Sequence, residues 1–289
     1  HHIEGRPAEM IAENLVQAFD EFCYPRLVKE QKNRFTQAVF YFCTGMQKLL
    51  SYPLTIIFLI FFGLTLLVFH PVQWICLNLF GYNAHKKSVS LLNLCLMWCT
   101  HLLGTRYSFR LPENMPEKGP LIIVANHQSM YDILVIYGWL RLDLKWVMKA
   151  ELRKAPFIGL GCEKAGHIFV NRRNHAQAAQ AINQALERLG DGIGILFFPE
   201  GTRSVDGRLL PFKKGAFHTA IEQQIPVLPV TVSGTREILP NKTLRVFPGR
   251  ARLVIHPAIE TRGMGHEDLG ILMERTRVSI ASALPGEKR

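Results

Sequence analysis

The run Asn126-His127-Gln128-Ser129-Met130-Tyr131-Asp132 sets an imidazole and a carboxylate five residues apart, directly after the apolar run Leu121–Ala125. An Asp bonded to one imidazole nitrogen fixes the tautomer and leaves the other nitrogen as a base that can take a proton from a hydroxyl or from water. Five residues on a regular helix leave two side chains about 140° apart, so the pair cannot meet if both sit on one helix. Pairing therefore requires His127 in the turn after the strand and Asp132 inside the following helix, with Ser129 as a suitable N-cap. An isolated His and Asp at this spacing are more often a helix cap and an unrelated surface carboxylate. The pair also resembles two metal ligands, but no third ligand stands nearby in the chain, and no metal is expected.

A second chemical segment, Phe198-Pro199-Glu200-Gly201-Thr202-Arg203-Ser204, follows another apolar run, Ile193–Phe198. A tight turn at Glu200-Gly201-Thr202 offers backbone N–H groups, and Arg203 adds a fixed cation with paired donors, the combination a phosphate oxyanion needs. The plain alternative is an ordinary glycine turn beside a solvated arginine. Lys213-Lys214-Gly215 adds charge at the start of a helix, where the dipole also favours anions. Between the two segments, Lys149 precedes Glu151, Pro156 and Gly159. Gly166-His167-Ile168-Phe169-Val170-Asn171-Arg172-Arg173 reads as a strand with a basic end, whose arginines either reach a phosphate or lie on the surface.

The elements that must position these groups alternate strand and helix. Strands are expected at Leu121–Ala125, Ile193–Phe198 and Val227–Val232, with a hairpin of 245–247 and 252–255 around Pro248-Gly249. Helices are expected over Ile133–Leu140, Ala176–Leu189, Ala216–Gln223 and Glu267–Ala283. Ala179, Ile182, Leu186 and Leu189 share one face of the second of these. The pattern predicts an α/β fold: a mixed, largely parallel sheet flanked by helices. Open sheets of this kind bind ligands beyond their strand C-termini, where both chemical segments begin.

Before Gly104 the composition differs. Residues 54–69 carry no charge, His70-Pro71 follows, and Val72–Phe80 is again apolar. The His-Pro step admits a single tilted span or a hairpin of two helices in one leaflet. Met10–Tyr52, with Pro25 separating two helices, and Val89–Leu103 also read as helical. A net charge of +11 with 48% hydrophobic residues suits an anionic membrane surface, an anionic substrate, or both. The basic residues form no long block and no nucleic-acid reading motif, so nucleic acid is not expected as a partner. The six cysteines show no zinc-type spacing and read as buried thiols in a reducing compartment. Residues 1–9 read as a tag and protease-site scar, 10–105 as a helical membrane-anchoring region, and 106–289 as an α/β catalytic domain.

The ordered set NHQSMYD, GHIFVNR, FPEGTRS with PFKKGAFH, and IPVLPV resembles the glycerolipid acyltransferase family, most of all its bacterial 1-acyl-sn-glycerol-3-phosphate acyltransferases. The resemblance runs from about Arg106 to the C-terminus with motif order intact. It implies that His127 is the general base and Asp132 its orienting partner. Arg172, Glu200, Gly201, Thr202 and Arg203 match the acceptor-binding motifs, Lys149 matches a basic position, and Ile225–Val230 matches a motif tied to the acyl side or to packing. Asn171 stands where family members often carry Asp, and the N-terminal region is longer than in compact members. The implied reaction moves an acyl chain from acyl-CoA or acyl carrier protein to the sn-2 hydroxyl of lysophosphatidic acid, giving phosphatidic acid, with no other cofactor. The implied partners are lysophosphatidic acid, the acyl donor, acyl carrier protein and the bilayer. The implied location is the bacterial inner membrane, catalytic domain facing the cytoplasm. Glycerol 3-phosphate or another lysophospholipid as acceptor, a membrane-anchored thioesterase or phosphatase, and a non-catalytic lipid-binding protein are the alternatives.

Overall fold

The computed structural model describes residues 28–113, 120–140, 142–155, 158–171, 175–187 and 193–286. Two helices, α1 (Val28–Leu79) and α2 (Tyr82–Leu102), form an antiparallel hairpin turning at Phe80-Gly81. Seven strands follow: β1 (Arg106–Arg110), β2 (Leu121–Ala125), β3 (Asp143–Lys149), β4 (Ile168–Val170), β5 (Ile193–Phe197), β6 (Val227–Ser233) and β7 (Arg250–Ile255). Between and after them lie α3 (Tyr131–Trp139), α4 (Ile158–Lys164), α5 (His175–Glu187), α6 (Gly215–Glu222), α7 (Thr235–Ile238) and α8 (Leu269–Ala281).

The strands form one sheet in the order β1-β7-β6-β2-β5-β3-β4. Every neighbouring pair is parallel except β6 with β7, so the sheet is mixed and largely parallel. The central strands are buried on both faces, as their unbroken apolar runs require. Ile123, Leu196, Leu228 and Val230 face one core, shared with α3 and with Leu96 and Met97 of α2. Ile122, Val124, Ile195 and Val227 face the other, beneath α6 and α8. Phe58 and Phe62 of α1 pack on the first core, so the hairpin and the sheet share apolar packing.

One open alternative is decided and two expectations are corrected. Of the two readings of His70-Pro71, the helix that runs through the step holds: α1 continues through Pro53 and Pro71 to Leu79, and the chain turns ten residues later. Proline removes one backbone bond and bends a helix, but its fixed φ is helical, so a long packed helix can absorb it. The start of α2 lies at Tyr82 rather than Val89. No hairpin forms around Pro248-Gly249. Residues 245–247 are not a strand, and β7 pairs instead with β6 and β1. Pro25 lies outside the described residues.

The exposed face of α1 is unlike that of a helix in water. Ser51, Thr55, Phe58, Phe62 and Thr65 recur at three- and four-residue steps and face the domain. Ile56, Ile60, Leu64, Leu67 and Val68 recur on the opposite side and are exposed. A surface helix normally turns charge outward; this one turns out aliphatic side chains. Within Gly45–Leu79 the most apolar 18-residue stretch has a mean hydropathy of 2.4 with only 11% of it buried, so the helix is long and apolar enough to cross a membrane. The helix nevertheless touches the domain along its length: Arg245 donates to Ser51 Oγ at 2.7 Å, and the Lys164 ammonium lies 6.0 Å from the Trp74 ring.

Gly234 joins β6 to α7 with φ 79°, and a Cβ there would lie 1.9 Å from the Arg250 carbonyl oxygen. Gly234→Ala must adopt the left-handed region and push β7 aside. It is expected to cost about 2–4 kcal/mol, lowering Tm by roughly 5–15 °C in a thermal melt; an unchanged Tm would contradict the packing described at this corner.

Candidate active site

β2, β3, β4 and β5 run parallel, so their C-terminal ends share one edge of the sheet. His127 follows β2, Lys149 ends β3, and the turn Glu200–Arg203 follows β5. Residues far apart in the chain are thereby gathered at one rim, where such sheets place ligands. Arg172, two residues beyond β4, lies outside the described residues, as does Arg173.

His127 sits in the turn between β2 and α3, and Asp132 sits in the first turn of α3, the arrangement that five-residue spacing requires. His127 Nδ1 lies 2.7 Å from Asp132 Oδ2. Asp132 is fully buried, and its carboxylate is surrounded by donors. Oδ2 also accepts the backbone N–H groups of Gln128 at 2.7 Å and Ser129 at 3.0 Å, while Oδ1 accepts the Thr235 hydroxyl. Ser129 Oγ accepts the Tyr131 N–H at 3.1 Å and donates to the Leu239 carbonyl at 2.6 Å. Met130, not Ser129, is the N-cap of α3; Ser129 takes the Tyr131 N–H from just before the helix, and the Asp132 carboxylate takes the Ser129 N–H in return. With Nδ1 engaged, Nε2 is the nitrogen left to meet a ligand. The Phe198 ring stacks on the imidazole at 3.9 Å, restricting its tilt.

Asn126 anchors this loop to the sheet. Its Nδ2 donates to the Val232 carbonyl at 2.8 Å, and its Oδ1 accepts the Val232 N–H at 2.7 Å. Glu200 joins the two chemical segments from within. It is buried, and its oxygens accept the His127 N–H at 2.8 Å and the Leu210 N–H at 3.0 Å. Its carboxyl therefore faces backbone donors. Burial pushes the Glu200 carboxyl up to about 7; the two N–H donors and Arg277 act against that rise, and the Asp132 charge adds to it.

The phosphate-type elements lie beside this pair. Gly201 turns with φ 72°, and its N–H donates to the Phe198 carbonyl at 3.0 Å, so this N–H is engaged within the turn. A Cβ on Gly201 would lie 2.6 Å from Lys213 Nζ, so the ammonium is seated over the turn. Thr202 is exposed and Arg203 partly so. Lys149 is exposed and pairs with Glu151 at 3.1 Å. Ile225, Val227, Leu228 and Val230 are buried in the two cores, so this motif packs. His167 is also structural: burial pushes its imidazole down to about 3, and Trp146 N–H donates to its Nδ1. Among the described residues no group of three or more His, Cys, Asp or Glu side chains is placed to hold a metal ion. Asn126 stands in the first motif but its role as an anchor to β6 is not legible there, and the contributions of Thr235 and Asn241 have no local motif. The one available signal is the Gly234-Thr235 step after an apolar strand, which marks a turn into a helix.

Comparisons with known proteins agree with one another. Residues 106–233 match the acyltransferase family profile. The chain is 32% identical to 1-acyl-sn-glycerol-3-phosphate acyltransferase alpha of Ovis aries over 67% of its own length and 68% of that protein. The human protein of the same name is also 32% identical, over 67% of this chain and 69% of that one. The crystal structure of the 1-acyl-sn-glycerophosphate (LPA) acyltransferase PlsC from Thermotoga maritima aligns over 82% of this chain and 97% of that one, with a TM-score of 0.69 and 26% identity. Set beside the ordered motifs and the buried His–Asp turn, these likenesses establish that the chain belongs to the 1-acyl-sn-glycerol-3-phosphate acyltransferase family.

Proposed function

We propose that this protein transfers a fatty acyl chain from a soluble thioester, acyl-CoA or acyl carrier protein, to the sn-2 hydroxyl of lysophosphatidic acid, giving phosphatidic acid. The observation that carries this reading is His127 Nδ1 held 2.7 Å from a buried Asp132 carboxylate, on the same sheet edge as Arg203 and Lys213. The acceptor phosphate docks on those cations, with Lys149 at the same sheet edge as a further cation; Arg172 is a further candidate on its motif alone. The hydroxyl then meets His127 Nε2. As its oxygen attacks the thioester carbonyl, the O–H bond breaks and the proton passes to Nε2. The imidazolium that forms is stabilised by Asp132. Collapse of the tetrahedral intermediate forms the ester C–O bond and breaks the C–S bond, and the imidazolium returns its proton to the leaving thiolate. Glu200 acts as a strut between the two motif loops, and Gly201 and Thr202 shape the turn that seats the phosphate.

The protein is membrane-associated in this reading, through the aliphatic outer face of α1 and its partner α2. Between Ser51 and Trp74 the axis of α1 covers about 35 Å, more than the roughly 30 Å hydrocarbon core of a bilayer. Both residues touch the catalytic domain. A helix pinned to one water-facing domain at both points lies along the membrane rather than across it. Because the thioester donors are cytosolic, the domain faces the cytoplasm, which in a bacterial cell places it at the inner membrane.

Removing the base at His127→Ala is expected to lower turnover by about 10²–10⁴-fold in a protein that still folds, with a lower Tm because the buried Asp132 carboxylate loses one of its partners. Arg203→Ala is expected to leave turnover at saturation nearly intact and raise the acceptor KM by about 10–100-fold, from the loss of a charged hydrogen bond. The readout is phosphatidic acid formed from acyl-CoA and lysophosphatidic acid, against glycerol 3-phosphate and other lysophospholipids. Thiol release that proceeds at full rate without acceptor would point to a hydrolase instead.

Glu200 supplies a pH signature. Its folded pKa lies above its unfolded value, so the folded chain binds this proton more tightly. The associated stability is complete below about 4.5 and is lost as pH rises through about 7. Tm is therefore expected to fall from this group between pH 4.5 and 7.5 in the wild type, and Glu200→Gln should flatten that part of the profile. Parallel profiles in the two proteins would contradict the assignment.

A further inference from the structure

The mouth of the site carries large apolar side chains at loop tips. Val205 is 79% exposed, Leu244 70% and Met130 54%. Each belongs to a different segment: the loop after the FPEGTRS turn, the loop before β7, and the turn between His127 and α3. Single exposed apolar residues are ordinary on a protein surface. These are bound into one rim. Asn241 Nδ2 donates to the Gln128 carbonyl at 3.1 Å and to the Ser204 carbonyl at 3.0 Å. Arg236 Nη1 donates to the Val205 carbonyl at 2.8 Å, and Ser129 Oγ to that of Leu239. The Val205 side chain has no place in this network; only its backbone is used.

The rim is continuous with the aliphatic hairpin. Directly after Leu244, Arg245 donates to the Lys48 carbonyl at 2.9 Å and stacks on Tyr52 with its guanidinium 4.1 Å from the ring. The next N–H, of Val246, donates to Thr55 Oγ1 at 2.9 Å. Leu244 therefore stands beside the point where the uncharged stretch of α1 begins. The polar residues of the rim are mainly cationic: Arg203, Arg208, Arg236, Lys242 and Arg245 stand against Asp206 and Glu237, which are already paired with Arg208 and Arg236.

We propose that this rim is a second membrane-contacting surface, in which Val205 and Leu244 enter the interface of an anionic bilayer and the surrounding cations meet its phosphates. The hairpin anchors the chain, and the rim presses the site mouth onto the lipid, so that an acceptor slides from the leaflet toward His127 without crossing water. Apolar tips flanked by cations are the combination that an anionic interface binds. The inference rests on the reading of the chain as a membrane-bound acyltransferase.

The test uses the full-length protein and the double variant Val205→Glu, Leu244→Glu. Each is assayed with acyl-CoA, and in a parallel arm with acyl carrier protein as donor, on two acceptors: a short-chain lysophosphatidic acid below its micelle concentration, and a long-chain one embedded in phosphatidylglycerol–phosphatidylcholine vesicles. The variant is expected to match the wild type within about twofold on the soluble acceptor and to be at least about tenfold slower on vesicles, with weaker vesicle co-sedimentation. Equal rates on vesicles would overturn the proposal. Equal losses on both acceptors would overturn it too, because the side chains would then serve the site itself. A variant slowed only when acyl carrier protein replaces acyl-CoA would reassign the rim to an acidic protein partner. A wild type inactive on both acceptors would refute the acyltransferase reading, not the rim.

Discussion

A carboxylate with no exposure to solvent needs donors on every side, and Asp132 has them: the His127 ring, two backbone N–H groups from the turn before α3, and the Thr235 hydroxyl. A buried charge so surrounded is costly to disturb, because any partner withdrawn leaves charge uncompensated in a low-dielectric interior. The rest of the site is arranged around that demand. Gln128 and Ser129 must turn their N–H groups inward, which forces the chain to leave β2 in a tight loop and carries His127 to the sheet edge. Thr235 must arrive from the end of β6, so the β6–α7 corner is held at close quarters, with Gly234 where no side chain fits. Asn126 fastens the same loop to β6 through both of its amide atoms. Glu200 then ties the loop to the turn that carries Arg203.

That linkage explains how one scaffold aligns two chemistries. The imidazole is oriented from below by Asp132 and from the side by Phe198. The cations are placed by strand β5 and by the approach of Lys213 to Gly201. In the proposed reaction a hydroxyl on a phosphate-bearing lipid meets both at once. The hairpin adds the third requirement. Its inner stripe of small polar and phenyl groups binds the domain, and its outer stripe is aliphatic, which is the arrangement the proposed membrane association uses.

Much of this was legible in the chain because it is local. The His127–Asp132 relation follows from the geometry of five residues, and the buried strands from unbroken apolar runs. The sheet edge follows because both motifs begin where such runs end. What lay hidden depends on distant partners. Nothing near Thr235 or Asn241 in the chain shows that they bond to Asp132 or to the Gln128 carbonyl more than a hundred residues away. Residues 245–255 look like two strands of a hairpin, but only the second stretch finds partners, in β6 and β1. Two strands escaped notice for contrasting reasons. β1 is an edge strand with arginine at both ends. In β3 the buried Asp143 and Lys145 pair with each other at 3.2 Å and so disguise a core strand as a polar one. The His70-Pro71 step leaves a continuous helix and a hairpin equally open in the sequence, because proline ends most short helices; α1 runs through it because it is packed on both sides.

The central claim is that Asp132 acts through His127, by fixing its tautomer and stabilising the imidazolium, rather than by binding the acceptor. The most direct measurement is the steady-state kinetics of Asp132→Asn with lysophosphatidic acid and acyl-CoA, with folding monitored in parallel. The account predicts turnover lower by about 10²–10⁴-fold, with the acceptor KM close to that of the wild type. A folded variant that keeps near-normal turnover, or whose defect lies wholly in acceptor KM, would contradict it.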